Sequence, residues 1–176
     1  MKKTSKPKKS TSKPNPEDVF AFACKFAALE EHIRNENNPN AAYMASAGMA
    51  ISAFSSELFL KCLLLLEGKE LRRIHPLNAL YQKLSHNQKR RIDRAWERDA
   101  RPRVDEVCRK LGYGHPSDLA NALVECGRAF ERMRYGYEDP DNIVFYLGDL
   151  PSILWRAIID LRPDWNTPAR WRPATA

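Results

Sequence analysis

AAYMASAGMAISAFSSELFLKCLLLL, residues 41–66, is the most apolar segment of this chain, and its only formal charges are Glu57 and Lys61. Because apolar residues cover nearly every helical face, the segment predicts a central, buried helix. A membrane span would have the same length, but each charge near its middle would cost roughly 2.5–3.5 kcal/mol. We therefore expect no contact with a membrane. At i, i+4 spacing with the acid first, Glu57 and Lys61 are expected to form a structural ion pair.

The flanking sequence repeats apolar residues every three or four positions, which is typical of helices. Further helices are predicted over residues 17–35, 76–84, 88–100, 104–111, 117–138 and 149–161. Asn87 is expected to cap the charged helix, Pro102 to interrupt it, and Pro163 to close the last one. Alternating strand patterns are almost absent, so the predicted fold class is all-α.

The chain has 176 residues and a formal charge of +7, which divides unevenly. Residues 1–16 carry six lysines and no acid, and almost nothing apolar, which predicts a disordered tail. The rest has 23 basic and 22 acidic residues, but residues 68–110 alone hold 13 basic and 6 acidic ones. We expect one helical domain over 17–161, with a basic middle, and an irregular segment over 162–176. Trp165 and Trp171 in that segment are expected to fold back or to contact a partner.

Four cysteines stand far apart among apolar neighbours, which favours reduced, buried thiols. The lysine-rich start is not followed by an apolar signal core, so we expect a cytoplasmic protein. The sequence contains no glycine-rich phosphate loop, nucleophile elbow, HExxH or EF-hand pattern, and its histidines lack metal-ligand spacing. We therefore predict neither a cofactor nor a metal.

Several short motifs follow one another along the chain in a characteristic order. They are Glu57-x-x-x-Lys61, then Gly68, then His75-Pro-Leu-Asn-Ala-Leu80, then Phe130 ahead of Arg134-Tyr135-Gly136-Tyr137-Glu138. In this order, residues 17–161 resemble a HEPN domain. The resemblance implies an antiparallel bundle, of about five helices in the family and about five to seven here, and frequently a homodimer. It also implies a family that includes metal-independent RNases of defence and toxin–antitoxin systems as well as non-catalytic binding members.

Catalytic HEPN members use an arginine and a histidine four to six residues apart, which meet their copies across the dimer. Here Tyr135 stands where that histidine is expected, and a tyrosine with a pKa of roughly 10 transfers protons poorly at neutral pH. Arg109 and His115 have the spacing, but Gly112 and Gly114 divide them between two helices. We expect a binding or regulatory protein that contacts RNA, a nucleotide or a protein partner. One alternative is a metal-independent endoribonuclease that uses Arg109 and His115 or an unrecognised pair, and another is a purely structural interaction module.

Two segments supply candidate binding residues. One comprises Arg128, Arg132, Arg134, Tyr135 and Tyr137, which could line a groove for phosphates and bases or form the dimer contact. Within it, Glu131 and Glu138 are spaced to neutralise Arg134, which favours a structural network. The other segment contains Arg90, Arg91 and Arg94, where interleaved acids favour a solvated helix over a binding surface.

Overall fold

The computed structural model describes residues 13–35, 37–41, 43–70, 74–112, 118–126, 149–167 and 170–173. These residues are mostly helical and contain no strand, so the predicted all-α class is confirmed. The helices are α1 Pro16–Arg34, α2 Ala45–Leu66, α3 Leu77–Gln82, α4 His86–Ala95, α5 Arg101–Leu111, α6 Leu119–Cys126 and α7 Leu150–Ile159. A π-helical turn, Trp96–Ala100, joins α4 to α5, and a 3-10 turn, Pro163–Trp165, follows α7.

Helix α2 lies at the centre of these elements and packs against α1, α3 and α7. Its C-terminal half buries Phe59, Leu60, Leu63 and Leu64 almost completely. Each such side chain contributes roughly 1.5–3 kcal/mol of hydrophobic free energy. By length and composition α2 could also cross a membrane, and half of its most apolar window is buried inside the protein.

The N-terminus of α1 follows from its first residues. The side chain of Asn15 accepts a hydrogen bond from the backbone N–H of Glu17 at 3.1 Å, and Pro16 occupies the first helical turn. Asparagine satisfies a free N–H at a helix start, and proline has no N–H to leave free there. The predicted bounds, residues 17–35, agree with the helix to one residue at each end.

Two predictions about α4 and its neighbours are wrong. Ser85, and not Asn87, caps α4, since its hydroxyl accepts a hydrogen bond from the backbone N–H of Gln88 at 3.3 Å. The chain also stays helical through Pro102. It does so because the turn before the proline is π-helical: the N–H of Arg101 bonds to the carbonyl of Trp96, five residues back. The missing N–H of proline is thus accommodated within a change of helical register.

The C-terminal segment packs onto the first helices. Trp165 is 3% exposed, and its ring centroid lies 5.4 Å from that of Phe20 in α1. Trp171 stacks on Phe59 of α2 with centroids 6.3 Å apart, and its indole N–H donates to Glu31. The two tryptophans therefore fold back onto the helical domain, which is one of the two positions expected for them.

All four cysteines are buried, and none of them is joined in a disulfide. Burial raises the pKa of Cys24 and of Cys62 to about 12, so both thiols stay protonated at neutral pH. A buried, protonated thiol is a poor nucleophile, and these two side chains serve as small packing groups between α1 and α2.

Candidate nucleic-acid interface

A groove runs between α7 and the continuous helix formed by α4, the π-helical turn and the start of α5. It consists of a cavity of about 500 Å³ and an adjoining recess of about 310 Å³, which share Arg98, Ile153 and Arg156. Six arginines and three aspartates line the two parts: Arg90, Arg91, Arg94, Arg98, Arg103, Arg156, Asp99, Asp149 and Asp160. We call this feature the arginine groove. Its described lining carries a net charge of +3, six cations less three anions.

The periodicity of α4 explains why the arginines share one side. Ile92 and Trp96 are buried and hold the helix against the core. Arg90 and Arg94 are four residues apart, one helical turn, and both are exposed.

The π-helical turn extends this side of the helix. Arg98 and Arg103 both line the recess although they are five residues apart. In a regular α-helix, side chains five apart diverge by about 140°. The wider π-helical turn reduces this divergence, so that Arg103 continues the row that begins at Arg90.

Three aspartates hold four of the arginines. Arg91 contacts Asp160 at 2.6 Å, and Arg103 contacts Asp149 at 3.1 Å. Asp99 accepts two hydrogen bonds from Arg98, at 2.7 and 2.8 Å. It also accepts one from Arg156 of α7, at 3.2 Å. The hydrogen bond from Arg98 is the main cause that lowers the pKa of Asp99, so this carboxylate stays ionised and fixes the two guanidinium groups around it.

Arg90 and Arg94 differ from the other four arginines. Neither side chain forms a hydrogen bond or an ion pair within the described part of the chain. Two like charges at i, i+4 spacing repel each other by roughly 0.2–0.5 kcal/mol. The pair therefore does not stabilise the helix. No described side chain therefore neutralises their guanidinium groups.

The acids interleaved in this segment form no ion pair with Arg90 or Arg94 within the described residues. Asp93 accepts a hydrogen bond from the hydroxyl of Tyr81, and Glu97 accepts one from Arg101 at 3.0 Å. Asp99 accepts hydrogen bonds from Arg98 and Arg156. These three acids therefore contact other side chains, and the choice between a solvated helix and a binding surface stays a prediction.

The predicted structural pair lies away from this groove, in α2. Lys61 donates to Glu57 at 2.5 Å, and their side chains are 15% and 8% exposed. His75 lies 3.0 Å from the same carboxylate oxygen through Nδ1, a contact that the sequence analysis missed. Its ring is 67% exposed. In the sequence this histidine is notable only as the first residue of the motif over 75–80. That motif does not indicate that Glu57 is its partner.

Several other candidates lie wholly or partly outside the described residues. Arg109 is exposed near the end of α5, where Gly112 terminates the helix in a left-handed conformation, with φ 71°. Its proposed partner His115 lies outside, as do the remaining candidates: Arg128, Arg132, Arg134, Tyr135 and Tyr137. Both sets therefore stay predictions.

Among the described residues, no three His, Cys, Asp or Glu side chains are grouped so that they could hold a metal ion. Comparisons with protein-family models, with curated proteins and with solved structures find no match to this chain.

Proposed function

We propose that this protein binds RNA through the arginine groove and acts as a binding or regulatory protein rather than as an enzyme. The observation that carries the proposal is the exposed pair Arg90 and Arg94, which has no internal partner among the described residues and stands at the start of a row of cations. Guanidinium groups bind phosphates through paired donors, and four neighbouring arginines are already held in place by aspartates.

The length of the groove favours a polymer over a single nucleotide. From Arg90 to Arg103 the helix advances about 20 Å, at 1.5 Å per residue. One strand of a stacked nucleic acid advances about 3.4 Å per nucleotide, so about six phosphates could follow the row. A mononucleotide would occupy only a small part of it.

The HEPN-like architecture belongs to the same proposal. It is supported by the motif order along residues 17–161, with Glu57 and Lys61 paired on a central helix. Under this proposal the protein is a non-catalytic member of a family whose RNases function in defence and toxin–antitoxin systems.

The experiment is RNA binding by the full chain, measured by fluorescence anisotropy with a short single-stranded RNA at several salt concentrations. We expect Arg90→Gln/Arg94→Gln to weaken binding and to reduce the slope of log affinity against log salt by about 1.4, or about 0.7 per lost phosphate contact. The matched control, Lys83→Gln/Arg172→Gln, removes two exposed cations outside the groove and should keep the native slope. Equal effects of the two variants would overturn the proposal.

The same samples separate binding from cleavage. We expect the RNA to stay intact in EDTA, because Tyr135 replaces the expected histidine. Metal-independent cleavage that His115→Ala abolishes would instead establish the endoribonuclease. Competition by a mononucleotide as effective as that by RNA would point to a nucleotide-binding protein.

A further inference from the structure

Helix α1 presents a narrow stripe of side chains that does not face the core. The stripe consists of Asp18, Phe22, Lys25, Leu29 and His32, spaced alternately four and three residues apart, and all five are exposed. At 100° per residue these positions fall within an arc of about 80°. Phe22 is 48% exposed and Leu29 is 45% exposed, so the stripe carries two of the large apolar side chains that reach the surface.

Aromatic contacts hold Phe22 at the surface. Its ring meets Phe26 edge to face, with centroids 5.1 Å apart, and Phe26 meets Phe54 of α2 in the same manner at 4.7 Å. Edge-to-face pairs of this kind contribute beyond simple burial. The exposed ring is thus the outer end of a packed aromatic row, which widens the apolar patch from α1 onto α2.

Two opposite charges flank this ring. Asp18 precedes Phe22 by four residues, and Lys25 follows it by three. Neither side chain has a hydrogen bond or an ion pair within the described residues. Along the helix axis they lie about 6.0 and 4.5 Å from Phe22, on opposite sides.

We infer that this stripe, defined by Asp18, Phe22 and Lys25, binds a second copy of the chain through an antiparallel pairing of the two α1 helices. A two-fold axis at Phe22 reverses the direction of the partner helix. Lys25 of each copy then comes to within about 1.5 Å, along the axis, of the level of Asp18 in the other copy. Both ion pairs form at once, around two phenylalanine rings in contact.

The order of the charges identifies the partner. A uniformly acidic or uniformly basic partner would face one charge of its own sign across Phe22. A second copy meets opposite charges at both ends, because the same acid–aromatic–base order runs backwards along it. This inference does not depend on RNA binding, since the arginine groove is lined by α4, the π-helical turn, α5 and α7 and not by α1.

The test is the molar mass of the full chain in solution, measured by sedimentation equilibrium over a concentration series. We expect a dimer, and we expect Phe22→Ser to raise its dissociation constant at least about tenfold. Asp18→Lys and Lys25→Asp should each weaken it as well, because each variant places two like charges together on both sides. Far-UV circular dichroism confirms that every variant is folded, and Lys83→Asp is the control for a charge reversal elsewhere.

Recombining the charges gives the decisive readout. The double variant Asp18→Lys/Lys25→Asp should dimerise like the native chain. A mixture of the two single variants should form a heterodimer, since one copy then carries two bases beside Phe22 and the other carries two acids, so that opposite charges meet at both ends. A monomeric native chain, a dimer that Phe22→Ser leaves unchanged, or a failure of both recombinations would overturn the inference.

Discussion

The buried carboxylate of Glu57 is shared between two bases. Its Oε1 lies 2.5 Å from Lys61 Nζ and 3.0 Å from His75 Nδ1, and its side chain is 8% exposed. An ionised group at this depth is stable only because its partners replace the water that it has lost. Removing one partner should therefore cost more than removing the whole interaction.

We predict that Glu57→Gln destabilises the protein by roughly 2–4 kcal/mol, because the Lys61 side chain, which is only 15% exposed, is left without its counter-charge. The double variant Glu57→Gln/Lys61→Met should recover part of this loss. Urea unfolding at pH 7 measures both. The control is Glu106→Gln, which removes the acid of an exposed pair at the same spacing, Lys110–Glu106, and should leave the stability nearly unchanged. A double variant no more stable than Glu57→Gln would contradict this account.

At the scale of elements, the end of α2 is tied to the start of α4 by one carboxylate. Both oxygens of Glu67 accept from the backbone N–H of Ser85 at 3.1 Å, and Oε2 also accepts from Lys69 at 2.6 Å. Burial raises the pKa of Glu67, but the hydrogen bonds from Lys69 and Ser85 outweigh it, so the net pKa is lowered. The link therefore depends on ionisation.

This lowered pKa predicts a pH dependence with a definite sign. A folded-state pKa below the unfolded value, about 4.3 for glutamate, adds stability that is fully present above that value. The stability is lost as the pH falls through the folded pKa. The free energy of unfolding of Glu67→Gln should thus lie below that of the native chain at pH 7, and the gap should close below about pH 4. A gap of constant size from about pH 7 to about pH 3.5, measured in urea, would show that the charge of Glu67 is not the cause.

Helical periodicity sufficed to place most of the described elements from the sequence. The first helix was predicted to within one residue at each end, and the apolar segment over 41–66 contains α2 entirely. The cap of α4 was misplaced because serine and asparagine cap equally well, and only the backbone geometry selects Ser85. The break at Pro102 was wrong because a proline excludes a regular α-helical hydrogen bond but not a π-helical turn ahead of it.

From the sequence, only those groove residues that lie close together in the chain could be predicted. Arg90, Arg91 and Arg94 stood out in the sequence because they are neighbours on one helix. Arg156 and Asp160 come from a helix more than 60 residues later, and no spacing rule joins them to the first set. Nor could the sequence show that Asp93 accepts a hydrogen bond from the hydroxyl of Tyr81.

On the scale of the whole molecule, the C-terminal segment is part of the core. Trp165 is 3% exposed and contacts Phe20 of α1, although 145 positions separate them in the chain. Arg170 contacts Glu17 at 2.6 Å and lies over the ring of Phe20 at 5.7 Å. The last described residues therefore complete the packing of the first helix.

We predict that Trp165→Ala lowers the free energy of unfolding by about 3–5 kcal/mol, since it leaves a large cavity beside Phe20. Leu161→Ala, in a side chain that is 39% exposed, serves as the control and should have a much smaller effect. Thermal and urea unfolding measure both variants. A Trp165→Ala protein as stable as the control would show that the segment lies on the surface of the domain without supporting it.

The contact between residues 17–20 and residues 165–171 also fixes when the protein can finish folding. A ribosome makes α1 early and adds Trp165, Arg170 and Trp171 about 150 codons later, at roughly 5–20 residues per second. For many seconds the apolar side of α1 therefore lacks its contacts with Trp165 and Arg170. A nascent chain stalled before residue 165 should therefore bind chaperones and be cleaved by proteases, whereas one extended past residue 171 and clear of the exit tunnel should resist both.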